Sequence, residues 1–196
     1  IKGINILPDE ESERKMYYLT NNILRSNGYR KYEISNYSKP GKECKHNIGY
    51  WQRKEYLGFG IGAASLYKEN RYNNISDINK YIEVLTNNIK ENSINNVGNS
   101  SEVENQVNIL NSIVKNLQQL TERDRMEEFM FLGLRMMEGV SMEKFEQYFG
   151  KTYMEVYGKV QKRMEDKRFL INDNGYVKLT EFGIDLSNYV MSEFLF

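Results

Sequence analysis

The chain is poor in the residues that form several common kinds of site. Its 196 residues include one Cys, one His, one Trp and two Pro. A single Cys excludes a disulfide framework and a four-thiolate metal site within this chain. It also fits a reducing compartment, which predicts a cytoplasmic protein. Because the sequence has no run of about 18 apolar residues, it predicts no membrane span.

Neither sign of charge is in excess, since 27 basic residues balance 27 acidic ones. No whole-chain field therefore favours nucleic acid or a membrane surface, and such a partner would need a local patch. Residues 1–11 lack an apolar core behind a basic start, so they do not read as a signal peptide. The chain begins with Ile1 rather than Met, and we expect a fragment of a longer protein.

The only Cys, His and Trp lie together in one segment, residues 32–65. They stand between two strand-like runs, 29–35 and 56–67, with a turn at Pro40-Gly41. The second run has glycine at positions 58, 60 and 62, and glycines in a strand allow a ligand or another backbone to approach closely. Rare polar and aromatic side chains between two predicted strands indicate a binding surface.

Helical patterns surround these strands. Residues 9–27 have an acidic first turn and an apolar stripe of helical period, and residues 76–88 form a second helix that Ser76 would cap. Asn accounts for ten of the 34 residues from 86 to 119. The run at 95–101 is the best domain boundary in the chain. Apolar residues keep helical spacing after Ser101, so we expect a helix there.

The last third of the chain predicts a second, smaller domain. Thr121 and Asp124 resemble a cap before an apolar helix that reaches about Met137. Two further helices, a hairpin around Asp173-Asn174-Gly175 and a terminal helix capped by Thr180 follow. The further helices are 141–149 and 152–167, and the terminal one reaches about residue 194. Three helices, a hairpin and a helix follow the order of a winged-helix-like module.

The residues themselves resemble a known family, the oxygen-independent coproporphyrinogen III oxidase-like proteins, and within it the haem-chaperone branch. The first half contributes LPDEESERKMYYLTNNILRSNGYRKYEISNYSKPG, CKHNIGYW and YLGFGIGAAS. The tail, EFMFLGLRMMEGVSMEKFEQYFG through the hairpin to LTEFGIDLSNYV, resembles the C-terminal domain of that family. The resemblance covers nearly the whole chain.

The resemblance implies a radical S-adenosylmethionine (SAM) protein, whose barrel binds a [4Fe–4S] cluster through three closely spaced cysteines. This chain lacks that motif, so we expect SAM and the cluster only in the intact parent, and neither bound to the fragment. The implied fold class is α+β: the last segments of a partial TIM-like (radical SAM) barrel, then a small winged-helix-like domain. The expected divisions are barrel segments at 1–94, an Asn-rich linker or helix at 95–120, and the winged-helix-like domain at 121–196.

Two departures from the family pattern bear on function. The oxidase branch carries two histidines where this chain has Ser35 and Asn36, which argues against decarboxylation of coproporphyrinogen. The chaperone branch usually reads GAHS where this chain has Ala64 in place of the His. In the family this strand borders the SAM pocket, so the resemblance places Ala64 and Ser65 at the pocket edge. We expect no catalytic and no metal-binding residue in the chain itself.

The candidate residues for haem or another porphyrin each have an ordinary structural alternative. His46 could ligate haem iron or hydrogen-bond a strand end, and the nearby Cys44 could be a ligand or an inert side chain. Tyr50 and Trp51 could stack on a porphyrin, or Trp51 could plug the barrel end. Glu33 could face the barrel lumen or solvent. The full set is Glu33, Ser35, Asn36, His46, Asn47, Tyr50 and Trp51.

Two further patterns have simple explanations. Four methionines of the helix at 121–137 could suggest thioether ligation of haem, but core packing is the better interpretation. They are Met126, Met130, Met136 and Met137. The tail has a modest local excess of basic residues around its third helix, but the predicted hairpin tip, 172–174, is not basic. A DNA-binding winged helix should have a clearer basic face.

The sequence therefore predicts the C-terminal part of a radical SAM haem chaperone that binds haem and delivers it to an acceptor protein. One alternative is a fragment of an oxygen-independent coproporphyrinogen III oxidase of porphyrin biosynthesis. A second is a winged-helix nucleic-acid-binding module, although we expect no nucleic acid as partner. Because barrel segments without their neighbours expose sheet edges, we also expect a homo-oligomer.

Overall fold

The computed structural model of the protein describes residues 7–94 and 112–196. Their contacts group them into two compact units. The first contains the described residues up to Arg53 together with Met126–Phe196, and the second contains the described residues of Lys54–Arg125. The sequence-based divisions at 94 and 120 follow the order of the chain and stay a prediction.

The first unit begins with helix α1, Glu10–Ser26, and a two-stranded antiparallel ribbon of β1, Arg30–Glu33, and β2, Asn36–Ser38. A short helix, α2, spans Lys45–Trp51. Asp9 caps α1 by accepting a hydrogen bond from Ser12 N at 2.7 Å. The sequence predicts α1, β1 and the turn at Pro40-Gly41, but it assigns no helix to the segment of α2. The seven residues of α2 are enough for about two helical turns.

The tail of this unit contains helices and a three-stranded antiparallel sheet, in which Tyr176–Leu179 pairs with Val140–Ser141 on one side and with Leu170–Asp173 on the other. Ser141 caps the helix that begins at Met142, and Thr152 forms a capping box with Glu155 in the helix that begins at Tyr153, so both predicted helices are confirmed. Asn174 and Gly175 have φ of +52° and +81°, as a tight hairpin turn requires. The elements are α4, Glu122–Gly133; β6, Val140–Ser141; α5, Met142–Phe149; α6, Tyr153–Asp166; β7, Leu170–Asp173; β8, Tyr176–Leu179; α7, Glu181–Asp185; and α8, Ser187–Ser192.

Two predicted helix ends in this tail are wrong. The helix capped by Thr121 ends at Gly133 rather than Met137, because the segment that follows pairs with β1: Ile34 N donates to Arg135 O at 3.0 Å and Met137 N to Tyr32 O at 3.1 Å. The terminal helix is two helices, which meet at Leu186 with φ −113° and ψ 27°. Thr180 does cap the first of them, by accepting from Gly183 N at 2.9 Å.

Fourteen buried apolar and aromatic side chains form the core of the first unit. Phe145 lies at its centre, with edge-on ring contacts to Phe129, Tyr153 and Tyr157 at centroid distances of 5.7 Å. Met126, Met130 and Met136 are 4%, 0% and 8% exposed, which confirms that these methionines pack in the interior. A thioether buried among other core side chains is not accessible to haem iron.

The described part of the second unit contains a three-stranded antiparallel sheet and a helix. Its elements are β3, Ala64–Tyr67; β4, Asn70–Asn74; α3, Ile78–Ile94; and β5, Val114–Gln119. In the sheet, β4 lies between β3 and β5. The predicted strand 56–67 is wrong over its first part, because Gly60 and Gly62 have φ of +96° and +66° and turn the chain back. Tyr56 then pairs with Leu66 as an isolated bridge.

The Asn-rich stretch differs from its prediction over residues 114–119, whereas Ser112 and Ile113 are helical as expected. Residues 114–119 form β5, which pairs with β4, so the helix expected after Ser101 is wrong there, and 101–111 lie outside the described residues. The apolar spacing there is that of a helix, and pairing with β4 overrides it. Asp77, not Ser76, caps α3, since its Oδ1 accepts from Asn79 N at 2.9 Å and Lys80 N at 3.1 Å.

Candidate functional site

The turn between β1 and β2 is organised by a carboxylate that solvent does not reach. Glu33 is 0% exposed, and its Oε1 accepts hydrogen bonds from Ser35 N at 2.9 Å and Asn36 Nδ2 at 2.5 Å. A buried carboxylate needs such donors because burial removes its hydration. Of the two alternatives for Glu33, exposure to solvent is therefore wrong. Ser35 and Asn36 are exposed at the turn.

A cation from the tail completes the environment of Glu33. Arg135 Nη2 lies 3.4 Å from Glu33 Oε2 and 3.4 Å from Ser35 Oγ. Its guanidinium also lies over the Trp51 ring, 4.3 Å from the ring centroid. The arrangement links the β1–β2 turn, the segment after α4 and the end of α2 through a single side chain.

A second ion pair holds the end of α2. Arg53, directly after that helix, donates from Nε to Glu128 Oε2 on α4 at 2.8 Å. The two side chains are 8% and 12% exposed. Such a pair has few competing water molecules, and loss of one partner would leave an uncompensated charge. The C-terminal end of α2 is thus fixed to α4 by charge and to the segment after α4 by the contact of Trp51 with Arg135.

Helix α2 presents an imidazole to solvent. His46 is exposed, and its ring meets the Tyr50 ring edge-on at a centroid distance of 4.6 Å. Positions four apart lie on one face of a helix, so these two rings share a surface. Asn47, the residue after His46, donates from Nδ2 to Tyr32 Oη at 3.5 Å. Cys44 is exposed at the N-cap position and makes no side-chain capping bond.

The two residues predicted at a SAM pocket lie in the second unit. Ala64 is exposed at the start of β3, whereas Ser65 is 1% exposed. Ser65 Oγ accepts from Gly58 N at 2.9 Å, and Asn74 Nδ2 donates to Gly58 O and Gly60 O at 3.1 and 2.8 Å. These hydrogen bonds hold in place the loop that contains Gly58 and Gly60. The pocket role of Ala64 and Ser65 stays a prediction.

Arg135 contacts three of the predicted residues, Glu33, Ser35 and Trp51, and Asn36 bonds to Glu33 beside them. His46 and Tyr50 form a separate surface on α2. Sequence reasoning missed Arg135, Arg53 and Glu128. A signal for Arg135 exists, since it is a lone charge in the apolar run FLGLRMM, and a charge in a buried segment needs a partner. No comparable signal marks Arg53 or Glu128.

The chain does not fit a [4Fe–4S] cluster, because Cys44 is its only cysteine and such clusters need several thiolates. Across residues 7–94 and 112–196, no group of three or more His, Cys, Asp or Glu side chains is arranged to hold a metal ion. No helix within those same residues has the length and hydropathy to cross a bilayer.

Comparison with known proteins gives related results from sequence and from structure. Residues 120–186 match the HemN C-terminal domain. The chain is 34% identical to "Heme chaperone HemW" of Lactococcus lactis over 194 residues, which cover 99% of this chain and 45% of that protein. It is 30% identical to the protein of the same name from Bacillus subtilis, with the same two coverages.

A solved structure has a similar fold. It is the Escherichia coli coproporphyrinogen III oxidase HemN, described as a radical SAM enzyme, with a TM-score of 0.66 and 14% identity. The match covers 96% of this chain and 42% of HemN. This chain thus spans about half the length of the relatives that it matches. The structural match shows that the chain shares the mixed α/β fold of part of HemN. The HemN C-terminal domain at 120–186 and the whole-chain similarity to HemW proteins show that the chain belongs to the oxygen-independent coproporphyrinogen III oxidase-like family of HemN and HemW.

Proposed function

We propose that the chain is part of a haem chaperone of the HemW type, which binds haem and delivers it to an acceptor protein. The observation that carries the proposal is the exposed imidazole of His46 beside the Tyr50 ring, on a helix that is fixed at its other end. The names of the relatives at 34% and 30% identity support the same function.

His46 is the proposed axial ligand of the haem iron, since a neutral imidazole is a common haem ligand. Tyr50 offers an aromatic surface to the porphyrin on the same helix face. Trp51 already has the Arg135 guanidinium over its ring, so it can offer only its other face, and its main role is to anchor α2. Asn47 and the exposed Ser35 and Asn36 are proposed as polar contacts around the same helix.

Chaperone activity is favoured over porphyrinogen decarboxylation. Ser35 and Asn36 stand where the oxidase branch has histidines. Neither side chain gains or loses a proton near neutral pH, so neither can act as a general acid or base. Both hydrogen-bond with partners of the buried turn: Asn36 to Glu33, and Ser35 to Arg135. Decarboxylation by the complete protein, with coproporphyrinogen III under anaerobic and reducing conditions, would overturn this preference.

The finer architecture follows from the same proposal. We infer that residues 1–94 are barrel segments, that 95–120 link them, and that 121–196 form a winged-helix-like domain with the β7–β8 hairpin as its wing. The cluster and most of the SAM pocket would belong to other parts of the protein, with Ala64 and Ser65 at the pocket edge. We further propose a cytoplasmic location and a homo-oligomer, which light scattering would test.

Nucleic acid is not proposed as a partner. Arg163 on α6 is paired with Glu193, and Lys167 Nζ lies 2.7 Å from Tyr189 Oη. At the hairpin, Lys178 Nζ is 2.7 Å from Asp173 Oδ2. These cations are engaged within the unit, which leaves fewer of them for phosphates.

Haem titration followed by Soret absorbance tests the proposal in the chain and in the complete protein. We expect a shifted Soret band in the wild type, and binding weakened at least about tenfold in His46→Ala. Cys44→Ser is the matched control, because it changes the neighbouring ligand candidate and leaves the imidazole. An unshifted Soret band in both proteins, or a His46→Ala variant with wild-type affinity and spectrum, would contradict the proposal.

A further inference from the structure

A cleft of about 500 Å³ in the first unit lies outside the site described above. Helix α1 forms one wall through Tyr17, Tyr18 and Arg25, and β1 contributes Arg30 and Lys31. Helix α7 and the end of β8 form the opposite wall. The volume lies within the range of roughly 300–1,000 Å³ that is common for small-molecule sites, and the proposed haem function uses none of these residues.

Two of the charges in the cleft have partners within it. Lys31 Nζ hydrogen-bonds with Tyr17 Oη and lies 4.4 Å from the centroid of the same ring. On the opposite wall, Asp185 Oδ2 accepts from Tyr18 Oη at 2.6 Å. These pairs hold the Tyr17 and Tyr18 side chains in the walls of the cleft. They also leave Lys31 and Asp185 less available to a ligand.

Three other charges in the cleft have no such partner. Arg25, Arg30 and Glu181 line it and form no ion pair or side-chain hydrogen bond with the described residues. Two guanidinium groups therefore stand against one carboxylate, which gives the unpaired groups an excess of one positive charge. Guanidinium groups bind carboxylates and phosphates through two parallel hydrogen bonds.

The rest of the lining suits the body of an organic ligand. Met137, Leu179 and Ile184 supply apolar surface beside the tyrosine rings. Burial, followed by the charges of Asp185 and Glu181, raises the pKa of Tyr17. The negative charges of the cleft therefore act on the end that contains Tyr17. An anionic group would therefore be favoured beside Arg25 and Arg30.

We propose that this cleft binds a small organic anion, which places a carboxylate or phosphate on Arg25 and Arg30 and an apolar or aromatic body against the tyrosine and aliphatic side chains. The charged group supplies affinity, and the apolar walls select an organic ligand over an inorganic ion. Glu181 opposes the anion and sets an upper limit on its affinity.

The test is an NMR titration of the ¹⁵N-labelled 196-residue chain with phenyl phosphate and with benzoate. Benzyl alcohol, which has the same ring without a charge, is the control ligand. We expect at least one anion to shift the amides of α1 between Tyr17 and Arg25 and that of Lys31. We also expect it to bind at least about tenfold more tightly than benzyl alcohol.

Substitutions of the charged side chains test which of them bind the anion. Arg25→Gln and Arg30→Gln should each weaken anion binding by about tenfold, and Glu181→Gln should strengthen it severalfold. Lys15→Gln is the matched control on the same helix, because Lys15 is exposed and pairs with Glu11, and it should bind as the wild type does. His46→Ala should also leave this site unchanged, which separates it from the haem site.

The two anions distinguish the chemistry: shifts with phenyl phosphate alone assign a phosphate ligand, and shifts with benzoate alone assign a carboxylate. Absence of shifts at millimolar concentrations of both anions would overturn the proposal. Equal binding of benzyl alcohol, or unchanged affinity in the double variant Arg25→Gln/Arg30→Gln, would overturn it too. Because these side chains are exposed, the variants should fold, and their amide spectra check this directly.

Discussion

Glu33 and Arg135 are 102 positions apart in the sequence, yet Arg135 Nη2 lies 3.4 Å from Glu33 Oε2. The carboxylate is 0% exposed, whereas the arginine side chain keeps 24% of its surface in solvent. The backbone supports the same contact, because Ile34 N donates to Arg135 O at 3.0 Å. The ribbon of β1 and β2 and the HemN C-terminal domain are therefore joined by charge and by main-chain hydrogen bonds.

Glu33→Gln should destabilise the chain strongly. The amide removes the counter-charge of Arg135 and cannot accept from all three donors that now face the carboxylate. Breaking a buried pair on one side leaves the other charge uncompensated, so we expect a loss of roughly 2–4 kcal/mol in the free energy of unfolding. Urea denaturation followed by circular dichroism measures it.

Glu138→Gln is the matched control for that change. Glu138 is exposed and lies three positions after Arg135, so the same chemistry there should alter stability by no more than about 0.5 kcal/mol. If Glu33→Gln proved as stable as Glu138→Gln, the buried carboxylate would have no structural role.

Gly183→Ala should be among the most damaging small changes in the tail. A Cβ at Gly183 would lie 2.0 Å from Phe169 O and 2.9 Å from Phe169 C. Because both contacts are with backbone, α7 would have to move away from the start of β7. Overpacking of this kind costs about 1–3 kcal/mol or more, and a fall in the thermal midpoint would report it.

Gly158→Ala in α6 provides the contrast. Its added Cβ would meet only the Met154 side chain, with Cε nearest at 3.1 Å, and a terminal methyl group can move aside. Alanine is favoured over glycine inside a helix by about 1 kcal/mol, so this variant should match or exceed the wild type. Equal losses in both glycine variants would show that backbone contact does not decide the effect.

Local patterns predicted much of this fold, and long-range contacts account for the errors. Thr152 with Glu155, Ser141 and Asn174-Gly175 specify their caps and turn through neighbours within three residues, so the sequence predicts those ends correctly. The errors at 114–119 and after Gly133 arise where pairing with a distant strand replaces a helical pattern. At the candidate site, His46 stands out in the sequence as the only histidine. The Arg135 partner of Glu33 and Trp51 comes from the tail, and no local pattern pairs it with them.

Acid should weaken the capping box of α6. The Thr152 hydroxyl and backbone N–H, which donate to Glu155, lower the pKa of that carboxyl below its usual value of 4.5. A lowered folded-state pKa means that the stabilisation is present above the unfolded pKa and is lost as the pH falls through the folded one. Urea midpoints should therefore fall more steeply below about pH 4.5 in the wild type than in Glu155→Gln.

The glutamine variant suits this comparison because it keeps an acceptor for the capping box and removes the titration. The difference between wild type and Glu155→Gln should thus shrink at low pH, where neither protein carries the charge. A difference that stays constant from pH 7 to pH 3 would mean that the carboxylate charge does not contribute to the cap.

Arg135→Ala should expose Trp51 and disturb α2. The guanidinium lies 4.3 Å from the centroid of the Trp51 ring, and Trp51 is the only tryptophan, so its fluorescence reports this contact without interference. We expect a red-shifted emission and stronger quenching by acrylamide in Arg135→Ala. Arg135→Lys should give an intermediate result, since lysine keeps the charge but loses the planar stack.

The same variants connect this contact with the proposed haem site. If the stack holds α2 in place, Arg135→Ala should weaken haem binding while His46 itself is unchanged, and Arg135→Lys should restore part of the affinity. Arg14→Ala, on an exposed surface of α1, should change neither the emission nor the haem affinity. Should Arg135→Ala shift the emission and leave the Soret titration unaltered, α2 would not depend on the stack for haem binding, and Arg135 would be a stability residue alone.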